Sequence, residues 1–295
     1  MKVVVFGGSG FLGSYVSDEL SKAHYDVTIY DLNRSLFLSE DQNMIVGDIL
    51  DPDSVREAVR GADIVYNFAG FANLNESLKN PTLTMKLNII GNLNILEACV
   101  SEKVEHFIYA STVYVSSRHG SFYGISKRTS EQIIEEFTKE NNIKFTIIRY
   151  GSIFGERADK QNRIYRIIKE ALETQTITFL GNGEEEREYI HARDAAKLSV
   201  DIIENKEAIN QRYILTGVER FSYKQLLQMI NEMLGGHISI NFQNKDYKGH
   251  YTYTPYSYSP QIAKKLVANP FLDFGQGLLE TIKHIDRDVL NKIEL

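Results

Sequence analysis

The sequence predicts an α/β protein: a doubly wound parallel sheet with a smaller, mixed C-terminal lobe. Three observations predict it. Short apolar segments alternate with longer amphipathic ones through the first half of the chain, the pattern of strands buried on both faces by helices. The first apolar segment ends in a glycine cluster, Gly7-Gly8-Ser9-Gly10-Phe11-Leu12-Gly13, at the start of the first helix. The alternation then stops after Arg149.

Taken in order, Lys2–Phe6 is an apolar run closed by glycine and reads as a buried strand. Phe11–Lys22 follows as a helix, Asp26–Tyr30 as the second strand and Met44–Val46 as the third. Pro52 opens a helix to Arg60, with Asp51 placed to cap it. Asp63–Asn67 is the fourth strand and Thr82–Ser101 one long helix. His106–Ala110, Tyr123–Asn141 and Lys144–Arg149 continue as strand, helix and strand. In the second half, Arg163–Glu173 and Ala192–Glu204 read as helices, and Arg212–Leu215 as a strand returning to the main sheet. Ser222–Leu234 has a capped, amphipathic helical pattern. Gln243–Pro260, rich in Tyr, Ser, Thr and Pro, reads as loop and short strand. The expected division is residues 1–150 as one domain and 151–295 as the smaller lobe, with 190–216 returning to the first. No Gly/Ser or charged linker separates them, so they are expected to pack as one unit.

Composition narrows the function classes. The 295 residues are 43% hydrophobic and 24% charged, ordinary for a globular protein. A formal charge of -6 speaks against a general affinity for nucleic acid, and an anion needs a local site. The single cysteine, Cys99, allows no internal disulfide and fits a reducing cytoplasm. Met1–Gly7 lacks the series of a signal peptide, and no apolar run approaches the roughly 20 residues of a membrane span. The expectation is a cytoplasmic protein without a membrane partner. The seven histidines show no pair at metal-ligand spacing, so no metal is expected.

The glycines carry the first chemical signal. Gly7, Gly10 and Gly13 stand at G-x-x-G-x-x-G spacing between a strand and a helix. The first permits the tight turn, the second lets a pyrophosphate approach the backbone, and the third lets helix and strand pack closely. The helix amides of Phe11 and Leu12 then face the phosphates. Asp31 at the end of the second strand suits both hydroxyls of an adenosine ribose and repels a 2′-phosphate, favouring NAD over NADP. Arg34, three residues on, softens that preference. Asp48 and Ile49 follow the third strand, where an adenine edge would lie, and Phe68, Ala69 and Gly70 follow the fourth, where small residues let a cofactor cross the sheet.

Tyr123 and Lys127 stand four apart and share one face of a helix. A lysine cation favours the phenolate of a nearby tyrosine, which can then accept a hydroxyl proton. With 17 tyrosines, about one Y-x-x-x-K is expected by chance, and Tyr165 with Lys169 is another. Position separates them, because Tyr123 opens the helix after the strand that ends Ala110-Ser111-Thr112. A hydroxyl at Thr112 belongs to the carboxyl edge of the sheet, where α/β ligands bind.

With these motifs the chain resembles an extended short-chain dehydrogenase/reductase of the nucleotide-sugar epimerase/dehydratase group, built on the Rossmann fold. The resemblance covers nearly the whole chain. It rests on Gly7/Gly10/Gly13, Asp31, Asp48-Ile49, Asn88-Ile89-Ile90-Gly91-Asn92, Ser111-Thr112, Tyr123/Lys127 and Arg187-Glu188-Tyr189-Ile190-His191. It implies Thr112, Tyr123 and Lys127 as catalytic residues, with Ser111 as the fallback for Thr112. It implies that Tyr123 and Lys127 also hold the NAD, that Asn88 helps order the site, and that Arg187 pairs with a substrate diphosphate, a task suited to a guanidinium fork. The partner implied is a nucleotide-diphosphate sugar bound in the C-terminal lobe. The helices Thr82–Ser101 and Tyr123–Asn141 imply a homodimer.

Two departures narrow the chemistry. Dehydratases of the group carry an Asp-Glu pair directly after the catalytic Thr, and here Val113-Tyr114 follow. Where the group has Asn after the sixth strand, this chain has Ser152. The leading expectation is an NAD-dependent 4-epimerase acting through a 4-keto sugar. A C4 dehydrogenase or 4-keto reductase with net redox change stays open, as does a non-catalytic NAD-sensing regulator, against which the intact Tyr123 and Lys127 count. Tyr247, Tyr251, Tyr253, Tyr256 and Tyr258 fit either a nucleotide or sugar wall or a packing loop. His191 reads as structural, Cys99 as a small core residue and Glu184-Glu185-Glu186 as a solvated turn.

Overall fold

Val3, Val4, Val5 and Phe6 have no solvent exposure, so Lys2–Phe6 (β1) is covered on both faces, as its unbroken apolar run requires. The computed structural model describes residues 1–243, 251–252 and 263–293. Around β1, the main sheet adds Asp26–Asp31 (β2), Gln42–Val46 (β3), Ile64–Asn67 (β4), His106–Thr112 (β5) and Lys144–Tyr150 (β6). The later strands Gln211–Leu215 (β10) and Lys264–Leu266 (β13) complete it. The order of the eight strands is β13-β10-β6-β5-β4-β1-β2-β3, and every neighbouring pair is parallel. Strand order reverses at β1, so a crevice opens between β1 and β4 at the carboxyl edge.

Helices close both faces. Phe11–Lys22 (α1) and Ala192–Asp201 (α8) pack together on one. Pro52–Val59 (α2), Gly91–Ser101 (α5) and Ser121–Asn141 (α6) cover the other. Asp51 caps α2 by accepting from the amides of Asp53 and Ser54, with Pro52 in its first turn. A separate core forms in the second half. It unites Arg163–Thr174 (α7), Thr176–Leu180 (β8), Glu186–His191 (β9), Tyr223–Met233 (α9) and Phe274–Ile293 (α10). The three-residue strands Ser152–Phe154 (β7) and Arg220–Ser222 (β11) flank β9, and Ser239–Gln243 (β12) pairs with β8.

The long helix expected over Thr82–Ser101 is interrupted. The chain forms Leu74–Lys79 (α3), Pro81–Met85 (α4) and a π-helical turn over Lys86–Ile90 before α5. Pro81 has no amide to continue α3 and instead occupies the first turn of α4. The π turn brings Asn88 inward, where it is 1% exposed and its amide is fully bonded. Helix α6 starts at Ser121, behind Gly120 at φ +102. Strands β7, β8, β9, β11, β12 and β13 and helix α10 were not expected from the sequence. Tyr247, Tyr253, Tyr256 and Tyr258 lie outside the described residues, while Tyr251 lies within them.

Candidate active site

The glycine turn makes a phosphate cradle. Gly7 has φ +77, and a Cβ there would lie 2.6 Å from the Ala69 amide nitrogen. A Cβ on Gly13 would lie 2.2 Å from the Gly7 carbonyl oxygen, so the close approach of helix and strand requires glycine. The first helical hydrogen bond of α1 runs from the Ser14 amide to the Gly10 carbonyl, and Gly10 makes no side-chain cap. The amides of Phe11, Leu12 and Gly13 therefore have no partner within the helix and form an anion site. A cleft of about 230 Å³ continues from Gly7 and Gly10 past Asp31, Asp48, Ile49, Phe68, Ala69 and Gly70. Asp31 accepts from the Ser9 amide at 3.1 Å and the Asn33 amide at 3.1 Å, which aims its carboxylate at this cleft. The Asp48 carboxylate is occupied locally by the Leu50 amide at 2.9 Å. Backbone donors at one end and a carboxylate at the other fit NAD.

Asn88 stands apart from the other cofactor residues. Its Oδ1 accepts from the Phe71 amide at 2.6 Å, and its Nδ2 donates to the Phe71 carbonyl at 3.1 Å and to Ser126 Oγ at 2.8 Å. Ser126 in turn donates to the Tyr123 carbonyl at 2.8 Å. With its amide groups bound to protein, Asn88 fixes the loop after β4 against α6; the structure gives it no free group for a cofactor.

The carboxyl edge of β5 holds Thr112, and α6 presents Tyr123 and Lys127 to it. Burial pushes the Tyr123 phenol up to about 12, and a hydrogen bond with Thr112 pulls the other way. Lys127 is 5% exposed. Its Nζ donates to the Ala110 carbonyl at 2.9 Å and sits 4.6 Å from the centre of the Tyr109 ring. Burial lowers Lys127 to about 8, while Glu131 supports its charge. The pull on Tyr123 comes from its hydrogen bond with Thr112, and the Lys127 ammonium is held by the strand.

Ser111 does not share the site. It is 3% exposed and donates to Glu131 Oε1. Glu131 also accepts a two-pronged bond from Arg149, at 3.0 Å from Nε and 2.7 Å from Nη2. The fallback role for Ser111 is thus closed by a buried ion pair that consumes its hydroxyl. Glu131 was missed in the sequence, although it continues the Tyr123/Lys127 spacing by a further four residues on the same helical face.

A second cavity, about 260 Å³, begins at Tyr123 and runs into the C-terminal lobe. Tyr114, Ser152, Arg163, Arg187 and Tyr223 line it, with Ala72–Asn75 at its rim. Among the described residues, no acidic side chain borders it. Arg187 is 2% exposed, its Nη1 donates to the Glu186 carbonyl at 2.7 Å, and its Nη2 is buried without a partner among the described residues. The expected two-pronged fork is thus partly spent on backbone. Arg163 and Ala72–Asn75, at the start of α3, were not singled out in the sequence, where a lone arginine at a helix start carries no signal. His191 is structural: its Nδ1 accepts from the Arg193 amide at 3.2 Å to cap α8, and its Nε2 lies 3.4 Å from Glu156. The described residues hold no group of three or more His, Cys, Asp or Glu suited to a metal. None of their helices is long and apolar enough to cross a membrane.

A dinucleotide cradle joined at one sheet edge to a Thr/Tyr/Lys site defines an enzyme of the nicotinamide-dependent short-chain dehydrogenase/reductase class. Residues 3–216 match the NAD dependent epimerase/dehydratase family, and the chain belongs to that family. It is 28% identical to a putative UDP-glucose 4-epimerase of Methanocaldococcus jannaschii, over 79% of this chain and 82% of that protein. It is 24% identical to a dTDP-glucose 4,6-dehydratase of Streptomyces antibioticus, over 96% and 91%. Among solved structures it is similar in fold to a UDP-glucuronic acid 4-epimerase of Bacillus cereus in complex with UDP-glucuronic acid and NAD. That match has a TM-score of 0.86 at 24% identity and covers 97% of this chain and 99% of the other.

Proposed function

We propose that the chain is a 4-epimerase of a nucleoside-diphosphate sugar. The observation that carries this reading is Thr112 facing Tyr123 and Lys127 with Val113-Tyr114 behind it. Val113 is 2% exposed and packs in an apolar cluster with Ile214 and Tyr251, so the acids that expel water in a dehydratase have no counterpart here. Bound NAD supplies the hydride acceptor and donor at sugar C4. Tyr123 takes the proton of the C4 hydroxyl and later returns it, so the proton balance of a turnover is zero. Thr112 holds the reacting oxygen. Lys127, cationic at neutral pH, holds the nicotinamide ribose and keeps positive charge beside the phenol. The sugar turns over between the two half-reactions, and Arg187 keeps the diphosphate in place meanwhile.

The test incubates the enzyme with UDP-, dTDP-, GDP- and CDP-sugars and follows product stereochemistry by NMR together with NADH absorbance. Inversion at C4 without net NADH is expected. Tyr123→Phe is expected to lower kcat by about 10²-fold or more while still binding NAD. Net NADH formation with a 4-keto product would instead identify a dehydrogenase, and full activity in Tyr123→Phe would remove the mechanism.

Residues 1–150 serve as the NAD domain and 151–295 mainly as the substrate lobe in this reading. We further infer a cytoplasmic homodimer. Leu83, Ile90 and Ile125 are 42%, 49% and 50% exposed on adjoining α4, the π turn and α6, an apolar face that a second copy would cover. Light scattering reads this state directly.

A further inference from the structure

Arg187 is a buried cation without a carboxylate partner among the described residues. Its strand neighbours Glu186 and Glu188 are engaged elsewhere. Glu188 meets Lys265 at 2.7 Å and Arg220 at 3.1 Å, and Glu186 lies 3.6 Å from Arg220. What surrounds the guanidinium is aromatic: its Cζ lies 4.0 Å from the Tyr251 ring centre and 5.4 Å from that of Tyr223. Burial opposes the charge of Arg187, and Tyr223, Tyr251, Tyr114 and Tyr189 act the other way; a guanidinium stays protonated in such a site.

Tyr251 is itself held from three sides. It is 5% exposed, packs on Tyr114 at 5.0 Å between ring centres, and hydrogen-bonds the Ser152 side chain. The next residue anchors the backbone, because the Thr252 carbonyl accepts from the Glu186 amide at 3.1 Å. The C-terminal segment is thus tied to β9 one residue before Arg187, and its ring covers the guanidinium.

We propose that Tyr251 is the positioning residue for substrate binding, acting through Arg187. The inference rests on the nucleoside-diphosphate-sugar reading above. An arginine side chain loses rotamer freedom when it is fixed. The Tyr251 ring removes that freedom before substrate arrives, and the Glu186 carbonyl sets the rotation of the guanidinium plane. Nη2 is then the donor left for the diphosphate. Tyr114 and Ser152, at the two positions where the chain departs from the family pattern, are the residues that hold this ring. Both departures therefore serve one feature.

The test compares Tyr251→Phe, Tyr251→Leu and Arg187→Ala with wild type in the full-length, NAD-loaded enzyme. The probes are UDP, dTDP, GDP and CDP, taking whichever wild type binds best, measured by calorimetry. Tyr251→Leu fills the apolar space but has no aromatic face, and is expected to weaken binding about tenfold. Tyr251→Phe keeps the face and stays within about threefold of wild type. KM rises in Tyr251→Leu with little change in kcat, and NAD affinity does not move. In the Arg187→Ala background, Tyr251→Leu adds no further loss. Wild-type affinity in Tyr251→Leu would overturn the proposal, as would additive losses in the double variant, or a fall in kcat and NAD affinity together. A wild-type enzyme that binds none of the four diphosphates would overturn the functional reading itself.

Discussion

Replacing Glu131 by alanine gives the sharpest test of how the catalytic edge is held. Glu131 and Arg149 have side chains only 5% and 7% exposed, and two hydrogen bonds join them. Arg212 Nε is 4.0 Å from Glu131, at the limit of an ion pair, so Arg149 is the main cation that Glu131 neutralises. Removing the carboxylate leaves the Arg149 guanidinium buried and unpaired and frees the Ser111 hydroxyl. Breaking a buried pair in this way costs about 3–5 kcal/mol. At about 2–4 °C per kcal/mol for a chain approaching this size, Tm is expected to fall by roughly 10 °C. Because Ser111 adjoins Thr112, and Glu131 supports the Lys127 charge, kcat is expected to fall as well. The assay is calorimetric melting of the NAD-loaded protein beside steady-state kinetics. Glu131→Leu combined with Arg149→Met, which removes both charges, is expected to recover most of the lost Tm. A melting temperature within about 2 °C of wild type for Glu131→Ala would refute the account of this ion pair as the brace of the site.

Two further outcomes follow from the same geometry. Gly13→Ala places a Cβ 2.2 Å from the Gly7 carbonyl, so the glycine turn must open and NAD affinity is expected to fall at least tenfold by fluorescence titration. Lys127 has its pKa lowered to about 8 from 10.5 by burial. Between these values the unfolded chain binds more protons than the folded one, so Lys127 makes stability rise with pH across this window and its full penalty is present below about pH 8. Lys127→Met is expected to flatten the denaturation midpoint between pH 8 and 10.5 and to abolish activity. An unchanged slope would show that the lysine is not desolvated.

The nucleotide half was legible because its signals are local. The glycine spacing and Asp31 each demand a specific backbone or charge within a few residues, and strands buried on both faces cannot hide their apolar runs. The break at Asn88 was not legible. Its cause is a bond to Phe71 seventeen positions away in the chain, which helical periodicity does not register. The substrate lobe was harder for a related reason. β9 reads Glu-Arg-Glu-Tyr-Ile-His, and its Glu188 is buried where Arg220 of β11 and Lys265 of β13 reach it. Those pairings exist only once the fold has formed. Ser111 was given too broad a role because sequence places it beside Thr112, while the pleat sends the two side chains to opposite faces.

The edge of the main sheet carries a consequence for the integrity of the chain. The family match ends at residue 216, directly after β10, yet the strand outside β10 comes from Lys264–Leu266. That strand is three residues long and begins with two lysines, both more than one-third exposed or close to it at 65% and 34% of the side chain. Short, charged borders of this kind discourage one sheet from joining another. A polypeptide stopped at Thr216 would retain the glycine turn, Tyr123 and Arg187 but expose the Gln211–Leu215 backbone as an open template for a second molecule. The chain beyond Thr216 therefore protects the protein's solitude at this border, in addition to building the pocket.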